Sequence, residues 1–206
     1  MKRLFVGLIC SALICGAAPA NPSIYGPTGL VTMPTADTLE FGEAEGFFHY
    51  VDYDEGSGKI FGANAGVGMG IELGLASAHN GDSETFVNAK WNFVKETSMS
   101  PGIAIGAIDL TGSMGDMEPY IVVSKKLSVP ESSIGFSGHV GYVAGDTDEL
   151  MLGASVDVTP QLQIMADYID EFSIGARYAV TEEFKLGVSA LDGDMMLSAS
   201  YKFAFN

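Results

Sequence analysis

The chain has 206 residues, 47% hydrophobic and only 17% charged, with a formal net charge of −16. A soluble acidic domain carries about a quarter of its residues charged, and so acidic a balance excludes the basic footprint that nucleic-acid binding needs. Beyond the first twenty residues no apolar run approaches the roughly 20 residues of a spanning helix, so a membrane role requires a closed barrel, the other way to satisfy backbone groups in lipid.

Residues 1–20 read as a cleaved export signal. Lys2 and Arg3 form a basic start, Leu4 to Cys15 is apolar, and Ala18-Pro19-Ala20 offers small residues for cleavage before Asn21. Both cysteines, Cys10 and Cys15, lie in this segment, each preceded by Ile, where a lipoprotein signal would place a small residue. The mature chain then has no disulfide or thiolate chemistry, and loss of Lys2 and Arg3 takes its net charge from −16 to −18.

Residues 21–42 are rich in Gly, Pro and Thr and do not alternate. They are expected to form a periplasmic segment, a tether or partial plug, since so short a stretch fills little volume. Within it stand Ile24-Tyr25-Gly26-Pro27-Thr28-Gly29-Leu30, then Met33-Pro34-Thr35-Ala36-Asp37-Thr38-Leu39, then Phe41-Gly42. This T-G-L…P-T-A-x-x-L-x-x-G arrangement resembles the start of the YjbH-like outer-membrane proteins, which are associated with exopolysaccharide production. Typical members of that family are much longer. The resemblance implies a barrel fold, an outer-membrane location and a part in cell-surface polysaccharide production.

From residue 43 the chain reads as twelve short segments, near 43–54, 58–66, 68–79, 84–94, 101–111, 117–127, 133–145, 149–158, 161–170, 172–180, 184–192 and 195–205. Most alternate with period two. The fourth sets Val87, Ala89, Trp91 and Phe93 against Asn88, Lys90 and Asn92, and the last sets Leu197, Ala199, Tyr201, Phe203 and Phe205 against Ser198, Ser200 and Lys202. The sixth is weakest, because Tyr120-Ile121-Val122-Val123 does not alternate. Acidic Gly-rich turns take turns with tight ones such as Val158-Thr159-Pro160-Gln161-Leu162 and Val180-Thr181-Glu182-Glu183-Phe184. Aromatics gather at both ends: Tyr53, Phe61, Tyr120, Tyr142, Tyr168 and Phe172 near the acidic turns, and Trp91, Phe93, Phe136, Tyr178, Phe184, Phe203 and Phe205 near the tight ones. Two belts flanking an apolar band are what membrane interfaces select. The pattern predicts an all-β, transmembrane, antiparallel up-and-down barrel over 43–206 with twelve strands, ten being the alternative. The closing strand also resembles the C-terminal assembly signal of such barrels, implying the barrel-assembly machinery as a partner, although Asn206 follows the last aromatic.

The acidic end is expected to face outside, with a rim that includes Asp52, Asp54, Glu55, Asp146, Asp148, Glu149, Asp192 and Asp194 against one lysine, Lys59. Asp52-x-Asp54-Glu55 and Asp146-x-Asp148-Glu149 supply hard oxygen ligands. They read as solvated loop tips, with weak divalent-cation binding at the rim and no resident metal or cofactor.

Glu72, Lys90, His139, Asp157, Asp167, Arg177, Lys185 and Lys202 are expected to face the lumen, either paired into salt bridges or lining a polar conduit. Twelve strands lie between packed barrels of about eight and open porins of about sixteen, which favours a narrow or occluded lumen. Ser137 and His139 share a face but stand about 7 Å apart, too far for nucleophile activation. His49 is expected to face lipid and His79 to sit at the outer end of its strand. With no G-x-S-x-G elbow, no catalytic residue is assigned. The expected function is a non-enzymatic protein of a Gram-negative outer membrane, in contact with lipid and lipopolysaccharide, assisting polysaccharide production or passage. The alternatives are a small-solute channel and a structural or adhesive surface protein.

Overall fold

Period-two alternation produces twelve strands: β1 (Glu43–Tyr53), β2 (Gly56–Gly68), β3 (Ile71–Asn80), β4 (Asp82–Val94), β5 (Gly102–Ile108), β6 (Glu118–Ser128), β7 (Gly135–Val143), β8 (Glu149–Asp157), β9 (Leu162–Ile169), β10 (Glu171–Ala179), β11 (Phe184–Leu191) and β12 (Asp194–Ala204). They come from a computed structural model that describes residues 21–53, 56–128, 134–145 and 148–205. The expected signal at 1–20 and the rim residues Asp54, Glu55 and Asp146 lie outside the described residues. Each strand pairs antiparallel with the next, and β12 returns to β1, from Glu43↔Ala204 to Asp52↔Met195. The barrel is closed, so no strand edge is left unpaired.

Turn chemistry fits the chain's own signals. Met69 (φ 55°) and Gly70 (φ 75°) join β2 to β3, and Asp192 (φ 46°) and Gly193 (φ 102°) join β11 to β12. Two successive left-handed residues make the hairpin turn that matches strand twist. β5 stops at Ile108 rather than at 111 because Asp109 turns left-handed (φ 50°) and its carboxylate caps the following loop, accepting from Thr111 Oγ1 at 2.7 Å and Met114 N at 2.7 Å. β6 does alternate once paired: Tyr120, Val122 and Ser124 are buried, while Ile121 and Leu127 face outward.

The outer face is apolar: Phe61, Tyr142, Tyr168 and Phe172 stand exposed toward the acidic end, and Trp91, Phe93, Phe136, Tyr178 and Phe203 toward the other. Three expectations are corrected. Tyr120 is an inward residue only 4% exposed, Tyr53 packs partly against the interior, and His49 is 3% exposed and points inward rather than to lipid. The register explains the last: His49 pairs with Ile60 and Ser198, both on inward faces.

The interior is protein. Two apolar clusters fill it, and both combine wall with N-terminal segment. Ile24, Leu30 and Val31 pack with Phe47, Val51, Phe86, Met165 and Met196, and Met33 and Ala36 pack with Ala104, Val122 and Met151.

Candidate functional site: the filled lumen

Residues 21–39 fold inside the barrel, so that of the two forms expected for this segment, tether or partial plug, it takes the form of a plug. Short backbone bonds shape it: Ile24 N donates to Val31 O (2.8 Å), Leu30 N to Met33 O (2.8 Å) and Thr35 N to Thr28 O (3.0 Å). Gly29 sits where the turn doubles back; a Cβ there would lie 2.3 Å from Met33 O. Gly66 of β2 is equally constrained, because a Cβ there would meet Glu40 O at 2.1 Å.

Wall side chains hold the plug through its backbone. Glu72 accepts from Thr28 N (2.9 Å), Thr28 Oγ1 (2.5 Å) and Leu39 N (2.9 Å), while Lys90 lies 3.4 Å from the same carboxylate and donates to Thr28 O at 2.8 Å. Across the lumen Asp167 accepts from Val31 N (2.7 Å), Thr32 N (3.3 Å) and Thr32 Oγ1 (2.5 Å). Arg177 donates to the carbonyls of Pro22, Gly29 and Leu30 at 3.2, 3.4 and 3.2 Å, and Lys185 to Asn21 Oδ1 at 2.6 Å. Glu72, Lys90, Asp167 and Lys185 are buried and Arg177 is half-buried, and each meets a partner charge, a backbone dipole or, for Lys185, an amide oxygen, as burial of a charge requires.

The remaining expected lumen residues stand apart from that clasp. Asp157 accepts from Gln163 at 2.9 Å, and Lys202 pairs with Glu43 at 3.0 Å, both near the tight-turn mouth. His139 reaches the plug at second hand: its Nδ1 lies 2.8 Å from Ser124 Oγ, which accepts from Ala36 N at 2.9 Å. This cross-strand Ser–His pair is closer than the Ser137 pair considered on the sequence. The plug covers it, however, and His139 Nε2 has no hydrogen-bond partner that could orient it for catalysis. Sequence reasoning passed over the neutral clamps. Asn64 donates to Gly26 O (2.5 Å), Asn88 to Tyr25 O (2.7 Å), and Asn92 to Ala36 O. Asn at alternating inward positions was the signal: an amide can donate to a carbonyl inside a dry lumen without the cost of burying a charge.

The plug leaves two cavities of about 310 and 280 Å³ at the acidic end, sharing Tyr25, Ile108 and Glu118, and about 30 Å³ beside Asn21, Asp37 and His139 on its other side. Asp52, Asp148, Glu149, Asp192 and Asp194 stand at or near the acidic mouth, with Glu149, Asp170 and Glu171 lining the larger cavity. Among the described residues, no three His, Cys, Asp or Glu side chains form a group that could hold a metal ion.

No protein-family model matches this chain, and no curated protein does. Solved structures do match. A KdgM porin in complex with disordered oligogalacturonate superposes with a TM-score of 0.55 at 10% identity, over 80% of this chain and 99% of that one. The outer membrane protein Omp33 of Acinetobacter baumannii superposes with a TM-score of 0.50 at 11% identity, over 81% of this chain and 99% of that one. The shared property is the fold. This chain is built like an outer-membrane porin barrel, and its plugged lumen is where a porin's conduit would lie.

Proposed function

We propose that the protein is an outer-membrane channel for small solutes, closed in this conformation by its own N-terminal segment. The observation that carries the reading is the lumen itself: a closed porin-type barrel whose bore is filled by a segment held without covalent bonds. A purely structural barrel of this size could fill its bore with larger wall side chains. Here the wall instead keeps Gly62, Gly74, Gly153 and Gly175 inward, leaving room that a separate segment takes up. The acidic mouth would concentrate cations ahead of the bore, and no role as an enzyme is proposed.

The test is a switchable lock. A Cβ on Gly102 of β5 would lie 3.5 Å from the Cβ of Ala36 in the plug, at the short end of the disulfide range of about 3.5–4.5 Å. The Ala36→Cys, Gly102→Cys double variant of the mature chain is expected to be silent in planar bilayers when oxidised. On reduction it should show cation-selective openings, with selectivity that falls when Asp148 and Glu149 are neutralised. Silence of the reduced double variant and of a plug-loosened Gly29→Ala variant would remove the channel reading.

A second reading keeps the polysaccharide role that the YjbH-like resemblance implies. It is favoured by one observation: Thr28, Gly29, Leu30, Ala36 and Leu39, which carry that resemblance, are among the residues that form or anchor the plug. Polysaccharide-synthesis genes beside this one, together with loss of surface polysaccharide on deletion, would support it.

A further inference from the structure

Every described lysine and arginine except one is committed to holding the fold. Lys90, Lys95, Lys125, Lys126 and Lys202 sit in ion pairs, and Arg177 and Lys185 hold the plug. Lys59 alone among them has neither an ion pair nor a side-chain hydrogen bond. It is exposed on the outward face of β2, beyond the aromatic Phe61 toward the acidic end.

Its neighbours on that face are unusual for a lipid-facing wall. Lys59 pairs with His79, Phe61 with Ser77, Ser77 with Thr85 and His79 with Ser83. The His79 ring stacks on Phe61 with centroids 5.7 Å apart. Ser83 Oγ lies 3.5 Å from His79 Nδ1 and 3.5 Å from Ser77 Oγ, and Thr85 Oγ1 donates to Ser77 Oγ at 3.3 Å. A cation, an imidazole and three hydroxyls thus share one outward face, Ser77 and Thr85 level with Phe61 and Lys59, His79 and Ser83 one step beyond it toward the acidic end. On β1 the outward residues beside it are Tyr50, directly opposite Lys59, and Asp52, opposite Ser57 and Met195. Asp52 shares the face of Lys59 across the β1–β2 ladder but makes no ion pair with it.

We propose that this patch, Lys59 with His79, Ser77, Ser83 and Thr85, binds a phosphate of lipopolysaccharide in the outer leaflet. Charge complementarity selects the partner: a phosphate wants an ammonium and several hydroxyl or N–H donors, and a free ammonium at headgroup height is attracted to an anionic leaflet. Phe61 supplies the apolar side against which the first acyl segments lie. The inference rests on the outer-membrane placement proposed above. A chain that purifies without detergent ends that placement, whereas the binding experiment below tests the patch alone.

The test titrates the mature protein, folded in detergent, with diphosphorylated lipid A, and reads bound lipid by native mass spectrometry. The wild-type chain should bind it and should bind dephosphorylated lipid A much more weakly. Lys59→Gln should weaken binding about fivefold, the effect expected of one cation at an anionic leaflet. His79→Ala should also weaken it, and Lys95→Gln at the opposite end should leave it unchanged. Equal binding by Lys59→Gln, equal binding of the dephosphorylated lipid, or displacement by equimolar inorganic phosphate overturns the proposal.

Discussion

Asp167 shows how one carboxylate can govern the bore. It gathers the Val31 and Thr32 amides and the Thr32 hydroxyl, and hydrogen bonds to a charged group contribute about 1.5–3 kcal/mol each. Asp167→Asn keeps the shape but loses the charge, so it should weaken the plug by roughly one such contact. Faster amide exchange at Val31 and Thr32, with exchange in β11 unchanged, is the expected readout. Gly29→Ala should act more strongly, since the added methyl would meet Met33 O at 2.3 Å; the barrel should still migrate differently boiled and unboiled. Asp109, in the loop after β5, gives a pH prediction. Burial works against its charge, but hydrogen bonds from Ser113, Thr111 and Met114 outweigh it and hold the carboxyl below its usual range. A folded pKa lower than the unfolded one means that stabilisation is complete above the ordinary carboxylate value of about 3.9 and is lost as pH falls through the lower folded value. Exchange protection of the Met114 amide should therefore hold from neutral pH down to about 4 and fall in stronger acid. Asp109→Asn should abolish that transition.

Among the strands, β11 offers a clean test of facing. Val188 is 46% exposed at mid-strand, between outward Ala176 and Leu197. Val188→Arg should cost about 2–4 kcal/mol if that point lies at the bilayer midplane, measured as a drop in the urea concentration at which the barrel unfolds in lipid. Val188→Leu should be nearly neutral. Twelve strands, their approximate limits and the inward charges were legible because alternation and charge survive in sequence. The plug was not, and β1 shows why. Phe47-x-His49-x-Val51 reads as an apolar face and so as the lipid face, which sent His49 outward. In the structure Phe47 and Val51 share one cluster with Ile24 and Val31, and His49 between them is buried on the same face. Apolar residues point both ways because the bore holds protein rather than water, a condition that a rule of apolar-out, polar-in cannot detect. Phe86, Met151, Met165 and Met196 carry the same message. Non-local clamps such as Asn64 on Gly26 join residues 38 apart, and no local pattern announces them.

For the whole molecule, an even number of strands sends both ends of the barrel to the tight-turn side, which in bacterial barrels is periplasmic. A tag inserted at Gly115, which has open space around it, should be reached by antibody on intact cells. A tag at Thr181 should need a permeabilised outer membrane, and the reverse pattern would invert the topology.

Because residues 21–39 touch the wall only through non-covalent contacts and join it in chain near Gly42, they behave as a ligand the receptor carries with it. Occupancy then depends on an effective concentration, of the order of millimolar for a short connection, and not on how much protein the membrane holds. In the channel proposed above, a solute opening the bore by competing for Glu72 or Asp167 would have to outbid that local concentration. A free peptide copying residues 21–42 should fail to exchange at micromolar levels with the intact chain, yet should bind once Gly29→Ala has weakened the resident copy. The protein would then sense the identity of its competitor through affinity alone, at a threshold written into the length of its own leash.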